Sequence, residues 1–265
     1  MESQDDDETE SLEYKIFIFG RTQCGKSVCA NLRFNPYFFV ECPQSWSTPQ
    51  LMFFKNFMTQ QLQRSGYTLV SANFVTRKKF YGFTNNEDFK FIRLIFTSKK
   101  AYTKSTYILS PKFNGKDPML NIPGIGKIVP PNLYESNIDP MLRFCHLQNI
   151  KPAGWATVEK FTTTPEFAKI SSCDLEIVIK SWKDIVGFEK EDIAPFVQAS
   201  FDIETYSYDG SFPDPLDENC PCIQIATTFQ RFGEKQSYKK HLLNLGTIDD
   251  IDGVDVIACE TEKEL

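Results

Sequence analysis

The alternation of hydrophobic and polar residues predicts a chain built mainly of β-strands. Residues 14–19 are β-branched and aromatic, and residues 27–34 place hydrophobic side chains at every second position. Both patterns are typical of strands, because side chains two residues apart lie on one face of a strand. The run at residues 193–203 is hydrophobic enough to predict a buried strand, with residues 222–229 pairing antiparallel to it. The remaining strand patterns lie at residues 37–40, 67–83, 91–96 and 175–179.

Two segments have a helical period instead. Residues 49–63 carry hydrophobic side chains three and four positions apart, which predicts a helix. A second helix is predicted over residues 141–147, with Asn137 or Asp139 as its N-cap and Pro140 in its first turn. Residues 121–131 are rich in Pro and Gly, and we expect a loop or linker there. The predicted fold class is mixed α/β (α+β), with strands predominating.

Length and composition narrow the class of protein. The chain has 265 residues, of which 41% are hydrophobic and 24% charged, and this is typical of a globular protein with one large or two small domains. No hydrophobic stretch reaches the roughly 18 residues of a membrane-spanning helix, and the acidic N-terminus does not resemble a secretory signal. The eight cysteines include no Cys-x-x-Cys pair, so we expect free thiols in a reducing compartment.

The charges are segregated along the chain. Residues 1–13 contain seven acidic residues and no basic ones, which predicts a disordered acidic tail. Residues 14–160 contain 20 basic and 7 acidic residues, whereas residues 161–265 contain 9 basic and 21 acidic residues. A basic segment beside an acidic one suits a phosphate-binding surface next to a carboxylate metal site, although scattered surface charge gives the same totals. We expect any DNA affinity to lie mainly in residues 14–160 and to fall with salt.

One motif suggests a nucleotide-binding loop. Residues 20–27, GRTQCGKS, fit the P-loop pattern G-x-x-x-x-G-K-[ST]. A P-loop must open a helix, because the helix N-terminus completes the anion site. The residues after Ser27 instead alternate with period two and end at Asn35-Pro36. The pattern therefore favours a β-hairpin with its turn near residues 23–25, and a P-loop nucleotide hydrolase is kept as an alternative.

A second motif suggests a metal site. Asp202 and Glu204 end the hydrophobic run, and their spacing places both carboxylates on one face of a strand. Two adjacent carboxylates repel each other unless cations neutralise them, and Mg²⁺ or Mn²⁺ prefers such oxygen ligands. Two ions about 3.5–4 Å apart can activate a water and stabilise the leaving oxygen in phosphodiester cleavage. The alternative is a pair of solvated acids at a strand end.

The residues around this pair resemble a known family. The stretch DIAPFVQASFDIE, residues 192–204, resembles the first exonuclease motif of the family B DNA polymerases, which include eukaryotic polymerase delta and the polymerases of large double-stranded DNA viruses. The similarity extends, with gaps, from about residue 14 to residue 265. It is carried further by Phe212-Pro213 and residues 222–225, by residues 134–144 with Gly154-Trp155, and by the opening residues 20–28 and 34–40.

The resemblance implies a function for several residues. Asp202 and Glu204 match the Asp and Glu that bind the metals of a 3′→5′ proofreading exonuclease, so they are the expected catalytic and metal-binding residues, with two Mg²⁺ or Mn²⁺ ions in the complete site. Phe212 matches a residue that stacks near the unpaired 3′ end, or it is part of the core. The implied partners are primer–template DNA with its single-stranded 3′ end, deoxynucleotides and a sliding clamp, with no membrane. The implied location is intracellular, at a replication site in the host nucleus or cytoplasm if the protein is viral.

The resemblance also implies the domain organisation. We expect an acidic tail at 1–13, a β-rich N-terminal domain at 14–130, a segment completing it at 131–195, and the first strands of a ribonuclease H-like exonuclease domain at 196–265. The later exonuclease motifs and the polymerase palm are not in these residues. The chain is therefore expected to be an N-terminal fragment of a DNA-directed DNA polymerase and to be inactive alone. The alternatives are the nucleotide hydrolase and a non-catalytic nucleic-acid-binding module.

Overall fold

The computed structural model describes residues 13–79, 82–110 and 119–265 and confirms a mixed α/β, strand-rich fold. The predicted acidic tail falls, except for its last residue, outside the described residues. The elements in chain order are β1 (Lys15–Arg21), β2 (Ser27–Arg33), β3 (Tyr37–Glu41), α1 (Thr48–Gln63), β4 (Leu69–Lys78), β5 (Asp88–Phe96), α2 (Lys99–Leu109), β6 (Leu120–Ile122), β7 (Gly126–Ile128), β8 (Leu133–Tyr134), α3 (Pro140–Leu147), β9 (Trp155–Val158), β10 (Phe161–Thr163), a 3-10 helix (Glu166–Ala168), β11 (Leu175–Ile179), a 3-10 helix (Trp182–Asp184), β12 (Ile185–Phe188), β13 (Val197–Thr205), β14 (Cys222–Arg231), β15 (Lys239–Leu245) and β16 (Asp255–Cys259).

The described residues form two compact units. The first unit holds the residues up to Phe19 together with Val28–Lys190, and the second holds Gly20–Ser27 together with Glu191–Leu265. Among the described residues, no helix has both the length and the hydrophobicity needed to cross a membrane.

The larger core of the first unit lies between α1, α2 and a sheet with the strand order β4-β5-β3-β8. The helix predicted over residues 49–63 is confirmed as α1. Its N-cap is Ser47, whose backbone N–H donates to Gln50 Oε1 at 3.0 Å. This bond gives a partner to one of the N–H groups that have none within the helix. Phe54, Met58 and Leu62 lie four residues apart on one side of the helix and are fully buried.

Helix α2 is not predicted by the sequence pattern. Its N-cap is Ser98, whose Oγ accepts from the backbone N–H of Ala101 at 3.1 Å. The buried side of α2 contains Ser105 beside hydrophobic residues, and the Ser105 hydroxyl donates to the carbonyl of Ala101 at 2.9 Å. Only five of the 11 residues of α2 are hydrophobic, and Ser105 occupies one of its buried positions, so no helix was predicted from the hydrophobic residues of this segment.

A second core in the first unit lies against a sheet with the order β1-β2-β11-β10. Strand β11 pairs parallel to β2, although the two strands are far apart in the chain. The second predicted helix is confirmed as α3, and Asp139 is its N-cap because Asp139 Oδ1 accepts from the backbone N–H of Met141 at 2.8 Å. Phe144 of this helix is fully buried.

The expectation of a loop or linker over residues 121–131 is wrong. Strands β6 and β7 form a short antiparallel hairpin there, and Ile122 is fully buried. Gly124 has a φ of 83°, a conformation that favours glycine in a tight turn. Strands of three residues are too short to show a period-two pattern, so only the turn residues were recognisable in the sequence.

The second unit contains one sheet with the strand order β13-β14-β15-β16. Strand β14 is antiparallel to β13 and β15, as predicted for residues 222–229, and β16 is parallel to β15. The prediction that residues 193–203 form a buried strand is wrong in this structure, because β13 is an edge strand and each of its residues is exposed. Within the described part of the chain, no element covers either face of β13.

Candidate metal centre

Strand β13 brings Asp202 and Glu204 to one face of the second unit's sheet. Its sequence VQASFDIET alternates hydrophobic and polar residues, so the pleat separates the two classes. Phe201 and Ile203 lie on the opposite face and are 72% and 50% exposed. Side chains two residues apart on a strand start about 6.5–7 Å from each other at their Cα atoms, within reach of shared ions. The predicted arrangement on one face is confirmed, and the role of the two residues stays a prediction.

The register of the sheet adds two amides beside the carboxylates. Asp202 lies opposite Ala226 on β14, and Glu204 lies opposite Gln224. Gln224 in turn lies opposite Asn244 on β15, and Gln224 Nε2 donates to Asn244 Oδ1 at 2.7 Å. Residues paired across strands share a face, so Glu204, Gln224 and Asn244 form a polar row across three strands. We call these three residues the amide row.

Sequence reasoning did not identify Gln224 and Asn244. Asn244 is only 7% exposed, and its Nδ2 donates to the backbone carbonyls of Leu245 and Gly246 at 3.1 Å. The available signal was a polar residue inside each hydrophobic strand, but only the strand register shows that these residues share the face of the acidic pair.

The oxygens of the two carboxylates are largely unengaged. Asp202 Oδ1 accepts from the backbone N–H of Ile203 at 3.0 Å. Within the described residues, no Lys, Arg or His forms a salt bridge with Asp202 or Glu204. Adjacent carboxylates without a cationic partner are a donor set that suits a hard divalent cation.

This donor set is incomplete by itself. Mg²⁺ takes six oxygen ligands and usually keeps several waters, so two carboxylates supply only part of its coordination shell. In the part of the chain that the structure describes, no group of three or more His, Cys, Asp or Glu side chains is placed to hold a metal. The residues present therefore fit one side of a metal site.

The loop after β13 carries Phe212, whose side chain is 96% exposed. Asp209 shapes the start of this loop, because its Oδ1 accepts from Ser207 Oγ and from the backbone N–H of Ser211, both at 2.9 Å. Hydrogen bonds from the Ser211 side chain and backbone, and then from Ser207, lower the pKa of Asp209 to about 2. Asp209 is thus a turn-forming residue of the type common in loops, and Phe212 follows the turn.

The P-loop interpretation of residues 20–27 is wrong. These residues form the turn of the β1–β2 hairpin, as predicted, with the backbone N–H of Thr22 donating to the Lys26 carbonyl at 2.9 Å. Gly25 has a φ of 89°, and β2 begins at Ser27. Since no helix starts here, the dipole and the free amides of a helix N-terminus are missing from the motif.

Comparisons with known proteins match the chain to one family model and to two viral DNA polymerases. The family model "DNA polymerase family B, exonuclease domain" matches residues 132–265. The chain is 31% identical over 252 residues to a DNA polymerase of Paramecium bursaria Chlorella virus NY2A, covering 95% of this chain and 25% of that protein. It is also 31% identical over 274 residues to a DNA polymerase of Acanthamoeba polyphaga mimivirus, covering 98% of this chain and 15% of that protein.

A solved structure has a similar fold. The family B DNA polymerase from the hyperthermophilic archaeon Pyrobaculum calidifontis matches with a TM-score of 0.57 and 18% identity, over 91% of this chain and 25% of that one. At this identity the likeness concerns the fold alone. The chain thus spans between 15% and 25% of the length of the proteins described here.

Proposed function

Because the chain belongs to DNA polymerase family B, we propose that it contributes Asp202 and Glu204 to the 3′→5′ proofreading exonuclease site of a DNA-directed DNA polymerase. The observation that carries this proposal is the pair of exposed carboxylates on one face of β13, without a salt-bridge partner among the described residues. Two bound Mg²⁺ or Mn²⁺ ions would there supply an activated water and charge stabilisation for the leaving oxygen.

Each residue of the site has a distinct part in this proposal. Asp202 and Glu204 offer hard oxygen ligands and hold negative charge where cations and a DNA phosphate must meet. The two carboxylates fill only part of a coordination shell, so the complete site takes further oxygens from the DNA phosphate, water and carboxylates elsewhere in the longer polymerase. The chain alone is accordingly expected to be inactive.

Phe212 is proposed to contact the unpaired 3′ end. Its ring is exposed at a loop whose first turn is fixed by Asp209, and exposed aromatic rings stack on single-stranded bases at about 1–3 kcal/mol per base. The partners that follow from this proposal are primer–template DNA, deoxynucleotides and a sliding clamp. The place of action that follows is a replication site in the nucleus or cytoplasm of a host cell.

The decisive experiment uses the complete polymerase that carries this segment. The double substitution Asp202→Ala with Glu204→Ala is expected to abolish removal of a mismatched 3′ nucleotide and to leave primer extension largely unchanged. The reason is that nucleotidyl transfer uses carboxylates of another domain. The matched control is Asp249→Asn, which removes an exposed carboxylate from the same unit and should leave both activities intact.

Two results would contradict the proposal. Retained excision in the double variant would mean that these carboxylates are not the metal ligands. Loss of excision and extension together, with a folded protein, would mean that the pair serves both reactions or the structure as a whole.

For DNA binding, we expect the affinity of the 265-residue chain to fall steeply with salt, since phosphate contacts release counterions.

A further inference from the structure

The amide row of the second unit has a fixed polarity. The Nδ2 of Asn244 donates to the backbone carbonyls of Leu245 and Gly246, both at 3.1 Å. A side-chain amide nitrogen carries two hydrogens, so both donors of Asn244 are used and its oxygen is left to accept. That oxygen, Asn244 Oδ1, accepts from Gln224 Nε2 at 2.7 Å. Because Asn244 is only 7% exposed, a buried residue determines which way the Gln224 amide points.

This polarity leaves the oxygen of the Gln224 amide unengaged. The nitrogen end of the amide is committed to Asn244, so Oε1 is the end that remains for another group. Within the described residues, which include all of residues 191–265, Gln224 Oε1 has no hydrogen-bond donor. The side chain is half-buried, so this acceptor is held in place and still accessible.

Gln224 is the cross-strand neighbour of one member of the acidic pair. Glu204 lies directly opposite Gln224, and Asp202 lies two residues before Glu204 on the same face. The Cβ atoms of directly opposite residues are about 4.5–5.5 Å apart. Since Glu and Gln side chains have the same length, the carboxylate and the amide can reach the same height above the sheet. A neutral oxygen therefore stands beside two carboxylates.

Such an oxygen suits the hydration shell of a hard cation. Mg²⁺ usually keeps several waters, and the hydrogens of those waters need acceptors. A neutral amide supplies an acceptor without adding a third negative charge to two carboxylates that already repel each other. A glutamate in its place could not donate to Asn244, so glutamine satisfies both neighbours at once.

We propose that Gln224 is a positioning residue of the metal site, and that its Oε1 accepts a hydrogen bond from a water on the ion held by Asp202 and Glu204. Asn244 holds the amide in the orientation that this requires. The inference rests on the proposed function and adds a residue to the same site. Groups that hold the ligands of a metal without touching it typically change its affinity by about 10–100-fold.

The first test measures Mn²⁺ binding by the 265-residue chain, which does not depend on excision. Paramagnetic broadening of the Asp202 and Glu204 backbone signals gives the affinity. Gln224→Met keeps the length of the side chain and removes both amide atoms, so binding is expected to weaken about tenfold or more. Gln230→Met is the matched control, because it makes the same change on β14 about 20 Å along the strand, where Gln230 donates to the Glu234 carbonyl. It should bind Mn²⁺ as the parent does.

A second variant separates the oxygen from the packing. Gln224→Glu keeps an oxygen beside Glu204 but cannot donate to Asn244, so it breaks the amide row as Gln224→Met does. Amide hydrogen exchange of β14 and β15 should report that shared loss in both variants. Mn²⁺ affinity should nevertheless be at least as high as in the parent for Gln224→Glu, because the acceptor is restored. A purely structural role would weaken Mn²⁺ binding in both variants.

The complete polymerase that carries this segment gives an independent readout. The Mg²⁺ concentration for half-maximal excision of a mismatched 3′ nucleotide is expected to rise about tenfold or more in Gln224→Met. The maximal excision rate at saturating Mg²⁺ should change much less, since the ligands Asp202 and Glu204 remain. Primer extension should be unchanged, and Gln230→Met should match the parent in both reactions.

Three results would overturn the inference. Unchanged Mn²⁺ affinity in Gln224→Met would show that the amide does not support the metal. Equal weakening in Gln224→Met and Gln224→Glu would assign the effect to packing. A lower maximal excision rate with an unchanged Mg²⁺ requirement would place Gln224 against the DNA instead.

Failure of this inference and failure of the proposed function give different results. If the double variant Asp202→Ala with Glu204→Ala loses excision while Gln224→Met keeps the parent's metal dependence, only the role of Gln224 is overturned. If the double variant retains excision, the proposed function falls and the role of Gln224 falls with it.

Discussion

Glu204 lies directly opposite Gln224, and the Gln224 side chain donates to the buried Asn244 on the next strand. The amide row therefore extends from an exposed carboxylate at the sheet edge to a side chain that is only 7% exposed. Because Asn244 also donates to two backbone carbonyls, the row fixes polar side chains on the face that carries Asp202.

We predict that Asn244→Ala destabilises the second unit by about 1–3 kcal/mol, because the substitution leaves hydrogen-bonding groups of Gln224, Leu245 and Gly246 without partners. Amide hydrogen exchange of β14 and β15 measures this locally. The control Thr228→Val, at an exposed position of β14, should change the free energy of opening measured by exchange by no more than about 0.5 kcal/mol. Equal effects of the two substitutions would contradict a special role for the amide row.

We predict that the 265-residue chain binds Mn²⁺ weakly at the acidic pair, because two carboxylates complete only part of a coordination shell. Paramagnetic broadening of the backbone signals of Asp202, Glu204 and Gln224 during a Mn²⁺ titration measures it. The variant Asp202→Asn with Glu204→Gln should lose the broadening, and Asp249→Asn should keep it. Tight stoichiometric binding by the parent chain would mean that the site is more complete than its two carboxylates suggest.

The hairpin turn gives a prediction about the backbone. Gly25→Ala should destabilise the β1–β2 hairpin by about 1–2 kcal/mol, because Gly25 has a φ of 89° and a side chain is strained in that region. Gly20→Ala is the matched control, since a Cβ at Gly20 meets no atom within 4 Å and its φ lies outside the left-handed region. Hydrogen exchange of the β1 and β2 amides should separate the two variants, and equal protection in both would argue against a strained turn.

Asp139 gives a prediction about pH. The ion pair with Lys99 and the hydrogen bond from the Met141 backbone lower the pKa of the Asp139 carboxyl. A lowered folded-state pKa stabilises the fold above the unfolded pKa of about 3.9, and that contribution is lost as the pH falls through the folded-state value. At pH 7 Asp139→Asn should therefore be less stable than the parent by about 0.2–1 kcal/mol, as expected for a partly exposed pair.

The stability difference between the parent and Asp139→Asn should shrink as the pH falls below about 3.9. Urea unfolding followed by tryptophan fluorescence measures it, because Trp46, Trp155 and Trp182 all belong to the first unit. Asp139→Ala should lose about 1 kcal/mol more, since it also removes the N-cap. A difference that stays constant from pH 7 to pH 3 would rule out the ion pair as its cause.

Local features of the fold follow from the sequence because their causes are local. The period of residues 49–63 identifies α1, and Asp139 before Pro140 identifies the start of α3. The two-residue spacing of Asp202 and Glu204 places them on one face in any strand, whatever surrounds it. The local sequence also favours a hairpin turn over a P-loop at residues 20–27, because a strand pattern follows them.

Features that depend on distant contacts were decided only by the tertiary structure. Helix α2 is defined by the surface it buries, which includes Ser105, and a serine carries no hydrophobic signal. The exposure of β13 depends on which elements lie beside it, and a hydrophobic run by itself does not reveal this. Gln224 and Asn244 join Glu204 only through the register of three strands. Strand register and helix placement are set by packing between residues far apart in the chain, so they do not appear in any local pattern.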